Sequence, residues 1–163
     1  MNKPILLVED DANDVFFMRR VMEKAGIPNA VQVARDGREA VDYLGGADGF
    51  ADRGRFPLPC LVLLDLKLPR MTGLEVLQWI RLQPEFTAVI VIVLTSSKLA
   101  LDVDAAYRLG ANSYLVKPST QDGLMEMVTS LKDFWLEQNQ WPPGPVGPPG
   151  PERMGLASGV NTP

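Results

Sequence analysis

The sequence predicts a doubly wound α/β domain, with a five-stranded parallel sheet in the order 2-1-3-4-5 and five helices covering both of its faces. Three observations carry that expectation. Short runs of branched apolar residues recur along the chain, as in strands buried on both faces. Segments with helical spacing lie between them. The most uniform run, Leu61-Val62-Leu63-Leu64, passes directly into Asp65. A carboxylate is costly to bury alone, so Asp65 belongs at an open strand end with partners around it.

Residues 4–8 form the first strand, which runs into Glu9-Asp10-Asp11. From Ala12 the apolar positions Val15, Phe16, Met18, Val21, Met22 and Ala25 define a helix that Gly26 closes. Val31–Ala34 is the second strand. Asp36 can cap a second helix with Ala40, Val41 and Leu44 turned inward. The connection over residues 45–59 is rich in Gly, Pro and charge and is long for a compact domain. The Asp65 strand and a third helix follow, ending near Pro84. Residues 88–94 (AVIVIVL) form a fourth strand that stops at Thr95-Ser96-Ser97. A fourth helix fits Leu99–Leu109, closed by Gly110, and residues 113–116 form the fifth strand before Lys117-Pro118.

The fifth helix starts near Thr120, capped by Ser119 or Thr120, with an inward stripe of Leu124, Val128, Leu131 and Trp135 and with Met127 and Phe134 alongside. Met125 and Leu136 fall off that stripe, and with Trp141 they suggest an exposed apolar surface. Residues 1–140 are therefore expected to form the folded domain. Residues 141–163 hold half of the prolines, with Gly144, Gly147 and Gly150 at every third position. Three such triplets are too few for a triple helix, so a disordered or extended tail is expected.

Bulk composition narrows the chemistry. A chain of 163 residues can bury a good core, and its 46% hydrophobic and 22% charged residues are ordinary for a globular protein. A net charge of −4 offers no basic footprint for nucleic acid. The absence of histidine excludes a Ser-His-Asp triad, a zinc–histidine site and a phosphohistidine carrier. The single cysteine, Cys60, opens an apolar strand, where a buried thiol is expected rather than a nucleophile. It also excludes an internal disulfide and fits a reducing compartment. Acids follow the first apolar run at once, unlike a signal peptide, and no run reaches membrane-spanning length. A cytoplasmic location is expected.

In such a sheet, ligands bind beyond the carboxyl ends of the strands, near the switch between strands 1 and 3. Strand 1 delivers Glu9, Asp10 and Asp11 to that rim, strand 3 delivers Asp65, strand 4 Thr95 and strand 5 Lys117. Clustered carboxylates repel one another unless a hard cation joins them, and Mg²⁺ suits oxygen ligands completed by phosphate and water. Asp65 could then act as a nucleophile towards a phosphoryl group, with Lys117 and the Thr95 hydroxyl supporting its oxygens. Taken singly, each residue has a plainer reading as a helix cap or a solvated charge. The combination on four strand ends carries the chemistry.

The stretches ILLVEDD, LLDLKLPRMTG, IVLTSS and GANSYLVKP resemble the receiver domains of two-component response regulators, which have a flavodoxin-like fold. The similarity spans Lys3 to about Asn139. The resemblance implies that Asp65 is the phosphoacceptor. It implies that Glu9, Asp10, the Asp65 side chain and the Lys67 backbone carbonyl hold Mg²⁺, and that Asp11 begins the helix. It implies further that Thr95 and Tyr114 form a switch pair, that Lys117 supports the phosphoryl group, and that the Lys117–Pro118 bond is cis. The long 45–59 connection and the FWLEQNQWP ending resemble stand-alone receivers paired with phytochrome-type histidine kinases.

On this reading the protein is a signalling phosphoacceptor rather than an enzyme in the ordinary sense. The residues after the fifth helix are too few and too Pro-rich for a DNA-binding module. Output is therefore expected through protein contacts, with a homodimer through the helix 4–strand 5–helix 5 face. A phosphatase of the haloacid-dehalogenase type would want a second acid two positions after its aspartate, where this chain has Lys67. A flavodoxin-like nucleotide binder would want a Gly- or hydroxyl-rich loop after strand 1, where this chain has three acids. A receiver-like scaffold that never accepts phosphate is the remaining alternative.

Overall fold

The computed structural model describes residues 3–141. Five parallel strands, β1 (Ile5–Val8), β2 (Val31–Ala34), β3 (Leu61–Leu64), β4 (Ile90–Thr95) and β5 (Ser113–Val116), form one sheet in the order β2-β1-β3-β4-β5. The helices between and after them are α1 (Ala12–Lys24), α2 (Gly37–Gly45), α3 (Gly73–Leu82), α4 (Ala100–Arg108) and α5 (Gln121–Leu131). A short 3₁₀ turn at Pro84–Phe86 leads into β4. The expected tail lies outside the described residues except for Trp141.

Side-chain alternation along the strands divides the interior into two cores. Ile5 and Leu7 of β1, Leu61 and Leu63 of β3, and Ile92 and Leu94 of β4 pack against α1 and α5. Leu6, Val8, Val62, Leu64 and Val91 point the other way, onto α2 and α3. Burial on both faces explains why the strands read as uninterrupted apolar runs rather than as alternating ones. α4 is the exception among the helices. It buries only Ala106, and its Leu101 and Tyr107, with the capping Leu99, remain exposed.

The helix starts follow their capping residues. Asp11 accepts from the backbone N–H groups of Asn13 and Asp14 at the head of α1, and Thr120 accepts from Gly123 N at the head of α5. Asp36 caps α2 and also pairs with Arg70, tying the segment after β3 to the start of α2. Burial would raise the Asp36 carboxyl pKa, but the Glu39 N–H and the Arg70 guanidinium outweigh it and hold the group below its usual value.

The 45–59 connection is a small packed unit. Arg53 donates to the backbone carbonyls of Tyr43 at 2.8 Å and Leu44 at 2.6 Å, satisfying the end of α2. The rings of Tyr43, Phe50 and Phe56 pack edge to face or tilted, with centroids 5.0–6.2 Å apart. The Tyr43 hydroxyl donates to the Pro57 carbonyl at 2.7 Å, and burial pushes its pKa up to about 12. Cys60 is a buried free thiol, and burial pushes it up to about 11, so it is a packing residue.

Two expectations are corrected. Met125, Leu136 and Trp141 are half-buried against the α1–α5 core rather than forming an exposed patch. Beyond α5 the chain widens into a π-helical turn over Lys132–Gln138, which rotates later side chains away from a regular helical stripe. Phe134, expected alongside the inward stripe, is exposed as a result.

Gly73 couples the fold to the rim where Asp65 lies. A Cβ there would sit 2.1 Å from the Asp65 carbonyl oxygen and 2.7 Å from Leu66 Cα, both backbone atoms that cannot swing aside. Gly73→Ala should therefore lower the unfolding free energy by about 1–3 kcal/mol, read as a lower urea midpoint.

Candidate functional site

Strand register assembles the rim. Val8 of β1 pairs with Leu64 of β3, and Asp65 N donates to Val8 O at 3.1 Å, so Glu9 and Asp65 leave adjacent strands at the same level. Thr95 pairs with Val116, and Lys117 N donates to Thr95 O at 2.8 Å. The sheet thus fixes the four backbones, and the lysine side chain reaches across β4 and β3 to close the group.

The Lys117 ammonium donates to Glu9 Oε2 at 2.5 Å, to Asp14 Oδ2 at 2.8 Å and to Asp65 Oδ2 at 2.9 Å. Glu9 and Asp65 are buried, whereas the Asp14 side chain is 48% exposed. Burial alone would lower the lysine pKa. The bonds from Asp14, Glu9 and Asp65 outweigh it and hold the ammonium well above its usual 10.5. For Glu9 burial dominates, raising its carboxyl above the ordinary range against the opposing pull of Lys117.

The remaining contacts orient the carboxylates. Asp65 Oδ1 accepts from Lys67 N at 3.3 Å, and Glu9 Oε1 accepts from Asp11 N at 3.1 Å. Asp10 is exposed beside them. One oxygen each from Glu9, Asp10 and Asp65 lies within 4.8 Å of the others. Such an all-carboxylate set suits a hard divalent cation with oxygen ligands.

Thr95 is fully buried, and its hydroxyl accepts from Ser97 N at 3.4 Å. The Tyr114 hydroxyl donates to Ser97 O at 3.1 Å, while Ser97 Oγ donates to Asp102 of α4. The Ser97 backbone therefore joins Thr95 to Tyr114 and its side chain reaches α4.

Glu9, Asp10, Asp65 and Lys117 converge as the sequence led us to expect, with Thr95 at the neighbouring strand end. The Lys67 side chain points to solvent, and only its backbone N–H is seen to touch the site. Two differences stand out. The described peptide bonds are all trans, the Lys117–Pro118 bond included, so the cis bond implied by resemblance is corrected. Trans is the lower-energy form of an X–Pro bond by about 0.5–1 kcal/mol, and in it the ammonium already reaches its three carboxylates. Asp14, in contrast, was not singled out from the sequence. The available signal was its place three residues after the Asp11 cap, in the first turn of a helix that starts at the rim.

The chain belongs to the response regulator receiver domain family, whose model matches residues 5–129. Among its relatives, the probable methanogenesis regulatory protein FilR2 of Methanothrix harundinacea is 40% identical over 142 residues, covering 87% of this chain and 88% of that protein. Response regulator Rcp1 of Synechocystis is 38% identical over 135 residues, covering 83% and 90%. The Mn(2+)-bound structure of Rcp1 matches with a TM-score of 0.78 at 37% identity, covering 86% of this chain and 99% of that one. The phosphorylated cyanobacterial phytochrome response regulator RcpA matches with a TM-score of 0.81 at 33% identity, covering 87% and 99%.

Lys117→Ala leaves Glu9 and Asp65 buried without their counter-charge and should cost about 3 kcal/mol of stability in metal-free buffer. A lysine pKa raised by folding contributes stability that is complete below 10.5 and is lost as pH rises through the folded value. The difference between wild type and variant in urea midpoint should therefore shrink on the alkaline side, as the ammonium loses its proton, and also on the acid side, where a protonated Glu9 no longer needs the counter-charge.

Proposed function

We propose that this protein is a response regulator, with its receiver unit over residues 1–140, that accepts a phosphoryl group on Asp65 from a sensor histidine kinase. The observation that carries the proposal is the Lys117 Nζ–Asp65 Oδ2 contact at 2.9 Å beside the Glu9 and Asp10 carboxylates. An aspartate oxygen attacks the phosphorus of the kinase phosphohistidine, the P–N bond breaks, and the imidazole nitrogen keeps the electron pair and takes up a proton. Mg²⁺, held by Glu9, Asp10, Asp65 and the Lys67 carbonyl, would neutralise phosphoryl charge when bound. Lys117 turns from the free carboxylate to a phosphoryl oxygen, and the Thr95 hydroxyl donates to another. A phytochrome-type kinase is the favoured donor, supported by the similarity to RcpA. A cytoplasmic site of action follows from that role, and no described helix is long and apolar enough to cross a membrane.

The signal leaves through Ser97. A Thr95 hydroxyl drawn towards phosphate gives up the Ser97 N–H, and the same residue anchors Tyr114 and Asp102. That local event biases the α4–β5–α5 face between two arrangements. Exposed Leu99, Leu101 and Tyr107 give this face the apolar surface for a homodimer, while the downstream partner is a protein rather than nucleic acid.

With Mg²⁺ and acetyl phosphate, wild-type protein should gain one phosphoryl mass and Asp65→Asn none. Labelling retained in the variant would move the acceptor to another residue, and an unlabelled wild type would favour the phosphate-independent scaffold. In light scattering at micromolar concentration, Leu101→Asp should shift a wild-type dimer towards monomer; a wild type that is monomeric with and without phosphoryl analogue would remove the dimer.

A further inference from the structure

An ammonium has three N–H donors, and all three of those on Lys117 are taken by carboxylates. Glu9 and Asp65 belong, with Asp10, to the group whose oxygens lie within 4.8 Å of one another; Asp14 does not. Its place is set by α1. The Asp14 N–H donates to the capping Asp11 carboxylate at 3.1 Å, which fixes the first turn and aims the side chain over the rim. The helix dipole explains why an acid is favourable there. It does not explain why a half-exposed carboxylate, free to stay in water, turns instead to a lysine far along the chain. The ammonium at the rim accounts for that direction.

We infer that Asp14 is a positioning residue acting through Lys117: it occupies one donor of the ammonium and keeps a charge partner beside it when Glu9 and Asp65 turn to a divalent cation. The inference rests on the receiver reading of the site. Lys117 contacts Glu9 Oε2 and Asp65 Oδ2, so a cation that draws on the charge of both carboxylates weakens both of those bonds. An ammonium on a side chain only 16% exposed that lost both would be left without a counter-charge, which is unfavourable. Asp14 supplies that counter-charge from outside the cation group. Without it the third donor is free to compete for Glu9 and Asp65, and the lysine holds more tightly the oxygens that the cation needs.

Titration of the metal-free protein with MgCl₂ by calorimetry tests this. Asp14→Asn should weaken Mg²⁺ binding roughly three- to tenfold, and Asp14→Glu, which keeps the charge, should restore most of the affinity. Glu23→Gln removes the same charge from the far end of α1 and should leave affinity nearly unchanged. The decisive comparison is in the Lys117→Ala background, where adding Asp14→Asn should have little further effect. Wild-type affinity in Asp14→Asn, or an equal loss with Lys117 absent, would overturn the inference, the second result showing simple charge attraction. The two readings fail differently: a wild type that binds Mg²⁺ and is labelled by acetyl phosphate keeps the receiver reading whatever Asp14 does, whereas one that does neither removes both.

Discussion

The site depends on one electrostatic constraint: several carboxylates share a strand-end rim, and two of them are buried. Glu9 and Asp65 leave neighbouring strands at the same level, so their repulsion is built into the sheet register. The Lys117 ammonium offsets that repulsion by contacting both, and it draws in Asp14 from α1. A buried charge group of this kind adds little net stability compared with apolar packing. In the proposed function its value lies in being rearrangeable, with each carboxylate exchanging the lysine for another cation.

Rearrangement is useful only if the backbone beneath it stays fixed. β1 and β3, central and buried on both faces, supply that rigidity, and Gly73 lets α3 start against the Asp65 carbonyl with no side chain between. The opposite edge is built differently. β5 is only half-buried along its length and α4 buries a single alanine, so this part of the molecule is held by few apolar contacts. The Ser97 backbone connects the rigid rim to that looser edge through Thr95 on one side and Tyr114 on the other. The carboxylate–lysine group and this looser edge thus lie on adjoining strand ends.

The fold was legible in the sequence because a doubly wound sheet leaves local marks. Strands buried on both faces must be continuously apolar, and helix starts need acceptors such as Asp11, Asp36 and Thr120 at their heads. The chemistry-bearing residues were legible for a related reason. Glu9, Asp65, Thr95 and Lys117 each end or follow a strand, and the topology sends all parallel strand ends to one rim.

Other features arose from contacts between segments that carry no mutual signal along the chain. Arg53 satisfies carbonyls at the end of α2, turning a Gly- and Pro-rich connection into a packed aromatic unit. The π-helical turn after α5 reassigns which apolar side chains face inward. Asp14 acquires its role from a lysine 103 positions later. Local pattern determined the strands, the caps and the set of reactive groups, because those follow from backbone geometry and burial within a few residues. Only the tertiary structure decided which carboxylates share the ammonium, since that choice depends on distances across the sheet and on which charge can reach another through a partly dry rim.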